Sequence, residues 1–164
     1  REGPPLPHPL RGHATVAYKD HILVIGGWDG SRHRKEVFCL HAKSCLPPSS
    51  DQWKRLPDLL DPVCQAGAVV CNEKLFVIGG HRAAPSSRVQ ILDLRQTFLG
   101  SRAGWQEGPS LLCERTRLSV AVCDDRIYAI GGNDGYRALK SVEVLDVRAW
   151  WAGGGGWRAA ANMS

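Results

Sequence analysis

Three glycine pairs constrain this chain more than any other feature. Gly26–Gly27, Gly79–Gly80 and Gly131–Gly132 each end an alternating apolar run, in ILVIGGWDG (22–30), LFVIGGHRA (75–83) and IYAIGGNDG (127–135). One such pair would suit a phosphate loop or a hairpin turn. Three at even spacing indicate a repeat. The first glycines of the pairs stand 53 and 52 residues apart, and Trp53, Trp105 and Trp157 are separated by 52 and 52. Two unrelated residue types keep one period, so the doublets and the tryptophans read as structural marks of a repeated unit.

Each unit reads as four short strands. The first is HATVAYK (13–19), AGAVVCN (66–72) or RLSVAVC (117–123), small and apolar as an inner strand must be. A turn of good hairpin chemistry follows (KD, NE or DD), then the strand that ends in Gly-Gly. The third strand is EVFCLH, RVQILDL or SVEVLDV, with β-branched alternation, and the short fourth opens with Trp in WKRLP, WQEGP and WRAAA. Apolar residues at helical spacing are nowhere sustained. Four antiparallel strands per roughly 50-residue unit make a propeller blade, so the expected class is all-β.

The Gly-Gly doublet, the Asp-Gly turn, the SVEV strand and the spaced Trp together resemble kelch repeats, most of all those of the kelch-like (BTB-Kelch) family. The resemblance covers nearly the whole chain. It departs at the third strand, where Leu40, Leu92 and Leu145 stand in place of the family's Tyr, and in the second unit, where HRAAPSS (81–87) replaces the Asp-Gly turn. The phase of the repeat predicts that residues 1–9 are the tail of a preceding blade's last strand, because REGPPL matches KRLPDL and QEGPSL. Blades are then expected at 10–60, 61–112 and 113–164. Propellers close with about four to eight blades, so the expectation is a β-propeller fragment of three four-stranded antiparallel kelch blades, about half of a larger propeller, whose remaining blades are its first partners.

Composition excludes several function classes. A net charge of +5 on 164 residues is too modest to argue nucleic-acid binding. No apolar run approaches the ~18–20 residues that span a membrane; REGPPLPHPL lacks the apolar core of a signal peptide, which in a fragment says little about targeting. The six cysteines form no C-x-x-C pair, and Cys71 and Cys123 occupy the strand position that Tyr18 fills in the first unit. They read as packing residues with reduced thiols, which implies a cytoplasmic protein. The cluster CLHAKSC (Cys39, His41, Cys45) lacks a second ligand pair at metal-site spacing, and GGGG (153–156) lacks the helix and Lys that a phosphate cradle needs. No metal, cofactor or catalytic constellation is expected.

In a four-strand meander, the second-to-third strand loops and the blade-to-blade connections share one face. That face collects WDGSRHRK (28–35), residues 81–87 and NDGYRALK (133–140). Loops on a rigid scaffold carry binding, and arginine forks suit carboxylate or phosphate. Candidate partner-binding residues are Arg11, Trp28, Arg32, His33, Arg34, Arg82, Arg115, Tyr136 and Arg137. Asp29 and Asp134 are expected to serve the turns. The resemblance implies that this face captures a protein or peptide target, with Arg115 the best match to an arginine often used for this in the family. It also implies a substrate adaptor of a cullin-RING ubiquitin ligase, whose cullin would bind through regions outside this chain. Two other readings stay open: an actin-binding or scaffolding kelch protein, and a copper oxidase-type kelch enzyme.

Overall fold

A computed structural model describes residues 3–42, 53–101 and 103–160. Among the described residues, twelve strands form three four-stranded sheets, each antiparallel and each in simple sequence order. The first sheet holds β1 (Ala14–Tyr18), β2 (His21–Ile25), β3 (Val37–His41) and β4 (Lys54–Leu56). The second holds β5 (Gly67–Cys71), β6 (Lys74–Ile78), β7 (Val89–Asp93) and β8 (Gln106–Glu107). The third holds β9 (Ser119–Cys123), β10 (Arg126–Ile130), β11 (Val142–Asp146) and β12 (Arg158–Ala159). Equivalent strands keep one register: Ile25 faces Val37, Ile78 faces Val89 and Ile130 faces Val142.

Two short helices, not expected from the sequence, follow the third strands. RVQILDL and SVEVLDV do not run on as strand; they stop at Asp93 and Asp146, and α1 (Leu94–Phe98) and α2 (Val147–Trp151) begin there. The Asp93 carboxylate accepts from the Gln96 amide and the Asp146 carboxylate from the Ala149 amide, so each aspartate caps the helix it precedes. Five residues are too few for an apolar period to be visible, which is why the alternation read as strand.

The sheets pack face to face through two apolar layers. Between the first and second sheets lie Leu23, Ile25, Val37, Leu75, Val77 and Leu92, all essentially inaccessible to water. Between the second and third lie Phe76, Ile78, Val89, Ile91, Ile127 and Leu145. The position shared by Tyr18, Cys71 and Cys123 shows how burial follows stacking: Tyr18 and Cys71 are buried, whereas Cys123 is exposed on β9 with Val122. Among the described residues the cysteines are free thiols; Cys45 lies outside them.

The tryptophans join each sheet to the chain before it. The Trp53 indole N–H donates to the Pro4 carbonyl at 3.2 Å, Trp105 to Pro57 at 2.8 Å and Trp157 to Pro109 at 2.9 Å. The glycine doublets make the complementary contact at the other end of the sheets. The Gly27 amide donates to the Val63 carbonyl and the Gly80 amide to the Arg115 carbonyl, both at 2.8 Å, so the first two doublets are bonded to the connection leading into the next sheet. A Cβ on Gly26 or Gly79 would stand 2.4 Å from that same carbonyl oxygen, and both residues have left-handed φ. Only glycine satisfies both conditions.

Gly79→Val therefore combines a backbone collision with positive-φ strain, and it should destabilise the fold by about 3 kcal/mol or more. Gly153 also has positive φ, but a Cβ added there would meet nothing within 4 Å, so Gly153→Ala should cost no more than about 1–2 kcal/mol. Urea unfolding of the two variants separates the packing requirement from the conformational one.

Candidate functional site

The loop face surrounds a hollow of about 1090 Å³. Its wall is built by a recurring device, in which the residue after each glycine doublet pairs with the residue just before the inner strand. Trp28 bridges to Arg11, His81 to Cys64 and Asn133 to Thr116. The same three residues bridge onward to His33, Pro85 and Ala138, so each loop folds back as a small hairpin over its own sheet. Three pseudo-equivalent sets of side chains thus line the hollow with unlike chemistry.

Asp29 and Asp134 shape two of these loops. The Asp29 carboxylate accepts from the Arg32 and Ser31 amides, both at 2.8 Å, and from the Ser31 hydroxyl. Asp134 accepts from the Arg137 and Tyr136 amides at 2.8 and 2.9 Å. These N–H donors, Arg32 first for Asp29 and Arg137 first for Asp134, hold both carboxyls below the ordinary carboxylate range. A depressed carboxylate contributes stability that is present above its unfolded pKa and lost as pH falls through its lower folded pKa. The two loops should therefore stay folded through the pH of about 4 at which free Asp protonates, and open only in stronger acid. Amide exchange at Arg32 and Arg137 across an acid series reads this out.

The candidate residues divide into exposed and buried groups. Tyr136 is 97% exposed at the rim, and Trp28 is half-buried with its ring 4.7 Å from the His33 ring in an edge-on contact. Arg11, Arg32, Arg82 and Arg137 are exposed. Arg32 pairs with Asp29 at 3.9 Å, Arg82 with Asp61 at 3.7 Å and Arg137 with Asp134 at 3.6 Å. Neighbouring carboxylates thus offset much of the positive charge that a residue count assigns to this face. Such exposed pairs are weak, so these guanidinium groups can exchange partners at little cost.

Arg115 and Arg34 are corrections to the sequence reading. Arg115 is not a surface group: it is fully buried, and all five of its N–H donors are used inside the protein. Nε and Nη2 donate to Glu143 at 3.2 and 2.7 Å, Nη1 to the carbonyls of Gly131 and Ser141, and Nη2 also to the Ser141 hydroxyl. Glu143 is completed by the amides of Leu112 and Cys113. The pair locks the connection at 112–115 to β11. Arg34 is also buried, between Asp29 at 3.1 Å and Glu36 at 3.0 Å. Neither arginine can reach a partner without dismantling the loops it holds.

Two residues of the hollow, Cys64 and His81, are absent from the sequence-derived set. Burial pushes the Cys64 thiol up, while the charges of Arg11 and Arg117 pull it back. Burial holds the His33 imidazole below its usual range, with the nearby His81 and Arg82 acting in the same direction. Cys64 and His81 carry no linear signal because only the bridge between connection and loop brings them side by side.

The repeat model for the Kelch motif matches residues 9–60, 62–97 and 114–164, which is most of the chain. The chain belongs to the kelch-repeat family. It is 28% identical over 159 residues to human Kelch repeat and BTB domain-containing protein 12, covering 89% of this chain and 26% of that protein. It is 26% identical over 132 residues to Kelch-like protein 40 of Xenopus laevis, covering 80% of this chain and 20% of that protein. The chain therefore spans about a quarter or less of the relatives' length. A solved structure titled Structure of YjhT superposes with a TM-score of 0.77 at 12% identity, covering 99% of this chain and 54% of that one. At that identity the likeness is one of fold: three blades that match about half of a kelch propeller.

The buried and exposed arginines should differ sharply in their response to substitution. Arg115→Met removes one partner of a buried pair and leaves Glu143 uncompensated, at a cost of about 3–5 kcal/mol. Arg11→Glu, on the exposed rim, should change stability by no more than about 0.5 kcal/mol. Thermal and urea unfolding compare them directly.

Proposed function

We propose that this chain is a protein-interaction module whose loop face captures a protein or peptide target, and that it is the substrate-recognition part of a cytoplasmic BTB-Kelch adaptor of a cullin-RING ubiquitin ligase. The observation that carries the reading is the composition of the loop face around the hollow. A fully exposed tyrosine, a half-buried tryptophan and four exposed arginines stand on loops fixed to a rigid three-sheet scaffold. Exposed aromatics beside arginine are the residue types that dominate interface energetics. The arginines favour an acidic or phosphorylated segment. In this reading the propeller has no catalytic part, and the ligase bound through regions outside this chain does the chemistry. The relative named for both a kelch repeat and a BTB domain supports the adaptor reading over an actin scaffold or an oxidase.

Partners captured from a cell extract by the full-length protein should be lost when Tyr136→Ala is combined with Arg11→Glu and Arg137→Glu, substitutions that leave the buried Arg34 and Arg115 networks intact. A cullin should still co-purify with that variant, since it would bind elsewhere. Target capture unchanged by the three substitutions would remove the loop face from the mechanism. Sedimentation with filamentous actin and no cullin association would replace the ligase reading with the scaffold one.

A further inference from the structure

The junction between the first two sheets holds a cluster that the repeat does not explain. The ligating atoms of His33, Cys64 and His81 all lie within 4.8 Å of one another. Two of these residues are fixed by backbone: the Cys64 amide donates to the His81 carbonyl at 3.0 Å and the His81 amide to the Cys64 carbonyl at 2.8 Å. Residues paired this way project side chains from the same face. His33 arrives from the preceding sheet's loop, held by its bridge to Trp28 and the edge contact with that ring. Its own ring centroid lies 5.6 Å from that of His81.

The pseudo-equivalent positions show that the fold does not require these residue types. Where this junction has Cys64, the others have Arg11 and Thr116; where it has His81, they have Trp28 and Asn133; where it has His33, they have Pro85 and Ala138. All three positions build the same bridges with unlike side chains. A thiol and two imidazoles have converged at one junction, from three loops of two sheets.

We propose that His33, Cys64 and His81 form a zinc site that ties the first sheet's loop to the second sheet in the wall of the hollow. A thiolate with two imidazoles is a borderline-soft donor set that suits zinc and not magnesium or calcium. Ligand atoms around tetrahedral zinc stand about 3.3–3.6 Å apart, given metal–ligand lengths of about 2.0–2.3 Å. The observed spread closes to this by rotation of the imidazoles about their side-chain torsions. On binding, the Cys64 thiol gives up its proton to solvent, and the zinc–sulfur bond replaces the S–H bond. Three protein ligands leave a fourth position, which water fills.

Cobalt(II) replaces zinc in such sites and reports its ligands optically. The purified chain should bind one equivalent, with a thiolate-to-cobalt charge-transfer band and the intense visible bands of tetrahedral geometry. One equivalent of zinc should erase both. His33→Ala and His81→Ala should each weaken zinc binding by at least about 100-fold, beyond what losing an outer-shell partner costs. Cys64→Ser should abolish the charge-transfer band, while Cys39→Ser and Cys113→Ser leave it unchanged. Cys64→His should keep metal binding but lose that band. Should a variant fail to fold, alkylation of the unaltered chain serves instead: zinc should shield Cys64 from iodoacetamide and leave the exposed Cys123 reactive. Absence of the charge-transfer band, its persistence in a folded Cys64→Ser variant, or alkylation of Cys64 unaffected by zinc would overturn the proposal.

Discussion

The structure depends on one backbone hydrogen bond, made wherever one blade meets the next. The second glycine of a doublet donates to the carbonyl of the residue that leads into the following blade: Gly27 to Val63, and Gly80 to Arg115. The preceding glycine must lack a Cβ for that carbonyl to come so close. Because the bond joins backbone to backbone, it leaves the flanking side chains free. The residues just after the doublets (Trp28, His81, Asn133) and just before the inner strands (Arg11, Cys64, Thr116) therefore differ from blade to blade while the scaffold stays constant. The hollow owes its unlike chemistry to this division between fixed backbone and variable side chains.

A second tie distinguishes the junctions. At the second-to-third junction, Glu143 on β11 accepts the amides of Leu112 and Cys113 and the Arg115 guanidinium. At the first-to-second junction the matching β7 residue is Gln90, which accepts from the Asp61 amide at 3.2 Å. In the first blade the matching β3 residue is Phe38, against which His8 packs edge-on at 6.3 Å. One strand position thus holds the incoming connection by charge, by amide or by an aromatic contact. Charge is the most demanding version, since a buried guanidinium must have all its donors satisfied. At Arg115 they are.

Much of this was legible in the sequence because it is periodic. The doublets and tryptophans recur every 52–53 residues, and recurrence marks structure whatever the local propensity. The four-strand unit and the grouping of loops on one face followed from it. What was not legible depended on partners distant in sequence. Arg115 looked like a surface arginine because nothing near it announces Glu143, 28 residues away on β11. Arg34 was misread for the opposite reason. Its partners Asp29 and Glu36 are close by, but only the folding back of the loop turns them inward. The capped turns at Asp93 and Asp146 were hidden because five helical residues leave no period to detect.

The sequence by itself determined the repeat, the all-β class and the family, since each rests on residue types at fixed intervals and on backbone rules that no distant contact can change. It also marked out the loops that vary. Only the tertiary structure decided which of their side chains face solvent and which are consumed in holding the loops. It alone brought the ligating atoms of His33, Cys64 and His81 within 4.8 Å of one another. The physical reason is that exposure and proximity are properties of the stacked blades. A residue's charge is written in the chain, but whether that charge is spent inside or offered outside depends on what the next blade places beside it.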